Sequence, residues 1–361
     1  MKIPITKIDL DEQTIAAAVN TLKSGQWILG KKTQKFESEF AKFCKVKHAI
    51  CVSSGTTALF LSLKSLGVKK GDEVIVPSFS FIATASAVSM CGGIPKFVDI
   101  NEKNFTINPF ELENKINKKT VGIIPVHLFG HAADMDQINK IAKQNSLFVV
   151  EDAAQAHGCK YKNKMIGSLG DVSCFSFYPS KNLTVCGDGG MITTNNSEIA
   201  NEIKMLRNHG RKAKYEHSMI GYNFRMGEVN AAMGLIRLKK LIKNNSSRKK
   251  IANKYDNELM NVITPIKEKW SSHVYHQYSI QTKNREKLIE ELKKHNIDSA
   301  VFYPLPIHKQ PIYKKFNKIK LPVTEKLSKN ILSLPMYPSM TKIEQDYVIK
   351  TINKFNLKYS G

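Results

Sequence analysis

The run Phe175-Ser-Phe-Tyr-Pro-Ser-Lys-Asn-Leu-Thr-Val-Cys-Gly-Asp-Gly-Gly190 joins an apolar, strand-like segment to a cluster of glycines, with Lys181 between them. Outward from this run, the chain from about residue 48 to 195 alternates short apolar stretches with helical ones. The pattern predicts strands over 48–52, 72–77, 95–99, 122–126, 147–150, 172–177 and 191–194, with helices such as 57–66 and 135–142 between them. Continuous apolar strands alternating with helices read as an α/β fold: a mostly parallel, seven-stranded sheet covered on both faces. Ligands of such sheets bind outside the carboxyl ends of the strands, where Lys181 and its neighbours fall. Residues 226–244 predict a long helix. The Lys-, Asn- and Glu-rich remainder predicts a smaller α+β domain, with a strand over 274–280, a helix over 285–294 and an extended loop at Tyr303-Pro-Leu-Pro-Ile-His308, where two prolines deny a helix. The expected division is 1–240 for the large domain and 241–361 for the small one, with the first twenty or so residues packing on the small domain.

Composition narrows the classes of function. Hydrophobic residues are 42% and charged residues 24%, ordinary for a soluble globular protein. No apolar run is long enough to span a membrane, and the N-terminal Met1-Lys-Ile-Pro-Ile-Thr-Lys-Ile-Asp-Leu-Asp turns polar too early for a signal peptide. The expectation is a cytoplasmic protein without a membrane partner. Six cysteines lie scattered without CxxC spacing, which argues against a metal site or a disulfide framework. The net charge of +24 raises nucleic-acid binding as a regulatory alternative. The lysines are spread along the whole chain, however, and no basic run is interleaved with aromatics. The charge therefore reads as a solvated surface that favours approach of an anionic substrate, with no nucleic-acid partner.

The chemistry rests on two residues. Lys181 is set apart from the other lysines by its flanks: Phe175, Phe177 and Tyr178 precede it, and Gly187, Gly189 and Gly190 follow, letting backbone approach closely. Upstream, Leu147-Phe-Val-Val-Glu-Asp152 ends an apolar run on a carboxylate. An aspartate able to pair with a protonated pyridine nitrogen, with a lysine able to form a Schiff base, is the pair that pyridoxal phosphate (PLP) chemistry needs. Gln155 follows within reach of the cofactor's phenolic oxygen. Val52-Ser-Ser-Gly-Thr-Thr-Ala-Leu59 runs from a strand into a helix, so its amides and the Thr56 and Thr57 hydroxyls could hold a phosphate, although Ser and Thr are also ordinary helix caps. His127, His131 and His157 show no ligand spacing and read as structural. Arg207 and His209 could lie near a substrate diphosphate on charge alone.

With these residues in view, the chain resembles the sugar aminotransferases of the DegT/DnrJ/EryC1/StrS family, which have PLP fold type I. The resemblance runs over nearly the whole length. It is carried by Gly25-Gln-Trp-Ile-Leu-Gly30, Ser54-Gly-Thr-Thr-Ala-Leu59, Pro77-Ser-Phe-Ser-Phe-Ile-Ala-Thr84, Glu151-Asp-Ala-Ala-Gln155, Ser176-Phe-Tyr-Pro-Ser-Lys181, Gly187-Asp-Gly-Gly190, Gly221-Tyr-Asn-Phe-Arg-Met226 and Tyr303-Pro-Leu-Pro-Ile-His308, in that order. It implies that Lys181 is the Schiff-base lysine and that Asp152 pairs with the pyridine nitrogen. Phe81 stacks on the ring, Gln155 lies near the ring oxygen, and Thr56, Thr57 and Ser176 bind the phosphate. Asn223 reaches the phosphate of a neighbouring subunit, so the active sites are shared in a homodimer. Trp27, Tyr303 and His308 fall where family members line the sugar site. Some relatives place histidine at the lysine position and remove a hydroxyl; lysine here favours amine transfer. The implied function is a PLP/PMP-dependent aminotransferase that moves an amino group from L-glutamate to a keto group of a nucleotide-linked sugar, in amino-sugar or polysaccharide biosynthesis, without a metal. The alternative within the same chemistry is a non-nucleotide cyclic ketone such as a cyclitol.

Overall fold

The structure, a computed structural model, describes residues 1–358. Its centre is a seven-stranded sheet: β1 (His48–Val52), β2 (Glu73–Pro77), β3 (Ile94–Val98), β4 (Thr120–Ile123), β5 (Phe148–Asp152), β6 (Val172–Ser176) and β7 (Gly190–Thr194). The spatial order is β1-β7-β6-β5-β4-β2-β3. β7 runs antiparallel to both of its neighbours and the other pairings are parallel. The sheet is the one expected from the sequence. Strands this short and apolar must bury both faces, and they do. Ala49, Cys51, Val149 and Phe175 join one buried cluster, while Ile50, Val52, Val150 and Cys174 join another. That alternation is the two-residue period of a strand.

The first cluster is covered by α2 (Lys31–Cys44), α5 (Met135–Gln144) and the start of α7 (Glu228–Glu258). The second is covered by α3 (Gly55–Ser65), α4 (Ala83–Met90) and α6 (Ser197–Leu206). α1 (Glu12–Lys23) opens at Asp11, whose carboxylate accepts from Thr14 N at 3.0 Å and pairs with Lys240 Nζ at 2.7 Å. A buried carboxylate from α7 caps α2: Glu228 accepts from the backbone amides of Gly30 (2.8 Å), Lys32 (2.8 Å) and Thr33 (2.9 Å). These amides have no partner within their own helix, and the negative charge also suits a helix N-terminus.

A third cluster holds α8 (Arg285–Lys294), α10 (Lys342–Lys358) and the antiparallel pair β8 (Tyr278–Gln281) and β9 (Ile331–Leu334) around Ile251 and Tyr255 of α7. Ile3 is built into it: Ile3 N donates to Asn296 O at 2.9 Å and Asp298 N donates to Ile3 O at 2.8 Å. α9 (Pro322–Asn330) leads into β9 and borders a fourth, small cluster through Leu327.

Three elements differ from the sequence expectation, and the first is the loop expected over 303–308, which closes into a short 3-10 turn at Ile307–Lys309. α7 does not end at Asn244 but continues to Glu258. Its Asn- and Ser-rich middle is poor helix former, yet Asn245 and Arg248 are buried there with tertiary partners, and those partners override propensity. The strand expected over 274–280 begins only at Tyr278. Val274 N and His276 N are instead bonded to Gly130 O (3.0 Å) and Phe129 O (2.8 Å), so this segment is pinned to the loop beyond β4.

Candidate active site

The carboxyl ends of β1, β2, β5 and β6 open on a cavity of about 450 Å³. Asp152 is the last residue of β5 and is buried in its wall. Its Oδ2 accepts from Thr84 Oγ1 at 2.8 Å and its Oδ1 from Ala154 N at 3.2 Å. Burial pushes its proton affinity up, against the pull of these two donors and of the Lys181 charge. Across the cavity, Lys181 stands half-buried on the loop after β6. Among the described residues nothing accepts a hydrogen bond from its ammonium, and desolvation lowers its pKa to about 8, against the field of Asp152. A lysine so poised has an appreciable neutral, nucleophilic fraction near neutral pH.

Around this pair the structure brings together most of the residues picked out in the sequence. Gln155 is held at both ends of its amide: its Oε1 accepts from Phe129 N at 2.8 Å and its Nε2 donates to Tyr303 OH at 3.3 Å. Phe81 presents an exposed ring at the cavity wall, 6.2 Å from the ring of Tyr303. Thr56 and Ser176 line the same space. They meet because Gly55 lacks a side chain: a Cβ there would lie 2.7 Å from Ser176 Cβ. Gly190, at the start of β7, is under the same constraint, since its Cβ would fall 2.3 Å from Ser54 O.

Four expected residues lie outside the cavity lining. The hydroxyl of Thr57 is engaged in the α3 capping box, accepting from Ser54 N at 2.9 Å while Thr57 N donates to Ser54 Oγ at 3.1 Å. Trp27 is exposed, with Nε1 donating to Leu22 O at 3.2 Å. Asn223 is exposed on the segment leading to α7. His308 is fully buried, between Ser78 Oγ (2.6 Å) and Glu325 Oε1 (3.2 Å). Arg207 is likewise structural: it is buried, ion-paired with Glu37 and donating to Cys51 O at 2.6 Å.

His276 and Gln277 were not singled out in the sequence, yet both line the cavity. Nδ1 of His276 is buried without a partner among the described residues, and burial holds its ring far below the usual imidazole range. The signal that could have found them is weak: a polar pair inside a run otherwise read as a strand. His127 lies behind the site, its Nε2 donating to Glu151 Oε2 at 3.0 Å and its Nδ1 accepting from Ala133 N at 3.1 Å. The described residues contain no cluster of metal-ligating side chains and no helix long and apolar enough to cross a membrane.

The model of the DegT/DnrJ/EryC1/StrS aminotransferase family matches residues 8–353. A dTDP-3-amino-3,4,6-trideoxy-alpha-D-glucose transaminase of Streptomyces venezuelae is 39% identical, with 96% of this chain and 93% of that protein covered. A UDP-N-acetyl-3-dehydro-alpha-D-glucosamine 3-aminotransferase of Acidithiobacillus ferrooxidans is 38% identical over 95% of this chain and 93% of its own. Among solved structures, the PLP form of a putative sugar aminotransferase from Streptococcus pneumoniae superposes with a TM-score of 0.94 at 28% identity, covering 99% of both chains.

Proposed function

Because the chain belongs to the DegT/DnrJ/EryC1/StrS aminotransferase family, we propose that it uses PLP to transfer an amino group from L-glutamate to the keto carbon of a nucleotide-linked sugar. The observation that carries this reading is the pair Asp152 and Lys181 facing one cavity, the carboxylate hydrogen-bonded and the ammonium without an acceptor among the described residues. The surrounding residues fit the cofactor. The start of α3 offers backbone amides and the Thr56 hydroxyl to a phosphate, and Gly55 brings Ser176 beside them.

When bound, PLP supplies an electron sink and carries the amino group between donor and acceptor. Asp152 would keep a proton on the pyridine nitrogen. Lys181 would hold the cofactor covalently and, once released, move a proton at the substrate carbon. Phe81 would cover one face of the ring and Gln155 would donate to its oxygen. Thr57 would serve the phosphate through the cap that orders the α3 start. Tyr303 would border the sugar, with Trp27 at the rim and His308 supporting the wall from behind through Ser78.

Asn223 would reach the phosphate of a second copy of the chain, so the working unit is a homodimer. This is supported by its exposure and by the exposed Trp27, Ile28 and Tyr178. The large domain would comprise residues 1–240 and the small one 241–361, with Ile3 built into the latter's cluster. Six free cysteines, five of them buried, suit a cytoplasmic enzyme.

Absorbance tests the reading. Purified protein mixed with PLP should gain a band near the visible edge that Lys181→Ala loses, and glutamate should bleach it. A wild-type chain that takes up no PLP sinks the proposal. Incubating the amine-loaded enzyme with a panel of dTDP- and UDP-linked keto-sugars beside scyllo-inosose separates a nucleotide sugar from a cyclitol.

A further inference from the structure

Asp152 is held by a chain of hydroxyls that begins in the cavity wall. Thr84 sits in the first turn of α4, is fully buried, and directs its Oγ1 to Asp152 Oδ2 at 2.8 Å. Its Oγ1 also lies 2.9 Å from Ser80 Oγ. A hydroxyl has one proton. With Asp152 ionised, Thr84 must spend that proton on the carboxylate, so the bond from Ser80 has Ser80 as donor. The direction Ser80 to Thr84 to Asp152 is thereby fixed, and each bond polarises the next. Thr84 N also donates to Phe81 O at 3.2 Å. The turn that places the Phe81 ring in the cavity is thus the turn that grips the carboxylate, although Thr84 and Asp152 are 68 residues apart in the chain.

We infer that Thr84, backed by Ser80, is the positioning residue of this active site: its hydroxyl keeps Asp152 ionised and aimed into the cavity, in register with Phe81. The inference rests on the role given above to Asp152. The other ionisable groups near Asp152 do not do this work. Lys181 favours its charge only through the field, His127 spends its Nε2 proton on Glu151, Tyr303 is held as a neutral phenol by burial, and Cys174 is held as a thiol by burial. Only Thr84 and the Ala154 amide touch its oxygens among the described residues.

The test uses Thr84→Val, which keeps the shape and removes the hydroxyl, and Thr84→Ser, which restores it. In cofactor-free protein, the protonated carboxyl band assigned to Asp152 by its loss in Asp152→Asn is followed by infrared difference titration. Thr84→Val should raise the proton affinity of Asp152 about tenfold, the scale of one hydrogen bond to a charge, and Thr84→Ser should return it to within about twofold of wild type. Ser80→Ala, a milder change, should shift it the same way by about threefold. In holoenzyme, kcat should fall about tenfold in Thr84→Val with KM for glutamate little changed. An Asp152 titration that is the same in wild type, Thr84→Val and Ser80→Ala overturns the inference, as does a Thr84→Ser variant no better than Val. A wild type that binds no PLP would defeat the cofactor reading, while the infrared titration would still decide the part played by Thr84. Should Thr84→Val fail to fold, Ser80→Ala and Thr84→Ser carry the same decision.

Discussion

Glu151 and Asp152 are neighbours at the end of β5, both buried, yet the strand turns them to opposite faces and to opposite fates. Glu151 accepts from five donors: His127 Nε2, the amides of Gly167, Leu169 and Gly170, and Ser173 Oγ. Its acceptor capacity is filled by the protein, and these bonds outweigh burial, so its carboxyl stays below the usual range. Asp152 accepts from two donors, and burial wins. The first is a finished structural joint, tying β5 to the 167–170 turn. The second has acceptor capacity to spare and faces a cavity. What separates the buried carboxylate proposed to serve the cofactor from the structural one beside it is the unfilled acceptor capacity, not burial or charge.

Two substitutions and one titration would break or sharpen that contrast. The largest effect should come from Asp152→Asn, which preserves shape but not charge. Turnover should drop about a thousandfold, the scale of losing a preorganised electrostatic contact, with the unfolding midpoint in urea nearly unmoved. Glu151→Gln should do the reverse. An amide turns its NH2 toward groups that already donate, and breaking a buried charge of this kind should cost about 3 kcal/mol of stability, read from the urea midpoint at unchanged slope. Turnover per folded molecule should stay within about threefold. The smallest effect concerns Lys181, whose ammonium the Asp152 charge favours. Labelling of cofactor-free protein by an amine-reactive ester should show Lys181 reacting as a free base above a pKa of about 8. As pH rises through that value the neutral amine appears, and Asp152→Asn should move the midpoint to lower pH. Glu151→Gln should leave it in place.

The seven strands, the Lys181–Asp152 pair and the Ser54–Leu59 segment were legible because each is local: a run of apolar residues ending on a polar group, at a spacing that sequence alone displays. What was hidden is long-range. Thr84 lay inside a motif already marked for Phe81, but nothing in the sequence says that its hydroxyl meets β5. His276 and Gln277 reach the cavity only because 274–276 bonds back to the 129–130 loop. His308 was expected at the end of an extended loop, but Ile307–Lys309 close into a short 3-10 turn that carries its ring inward to Ser78 and Glu325. α7 outran its expected end because Arg248 found three carbonyls, of Tyr275, His276 and Met336, which no local propensity encodes.

That helix also sets a rule for anyone who would recombine this protein with its relatives. Its first turn carries Glu228, on which the 27–33 segment hangs; Asn245 is bonded to Asn182, next to Lys181; and Tyr255 anchors the third cluster. A helix turns once in 3.6 residues, so inserting one residue between Glu228 and Asn245 would swing everything beyond it by roughly 100° and pull Asn245 off Asn182. A chimera joined within α7 must therefore conserve helical phase as well as sequence similarity, whereas one joined in the exposed 211–218 segment carries no such constraint.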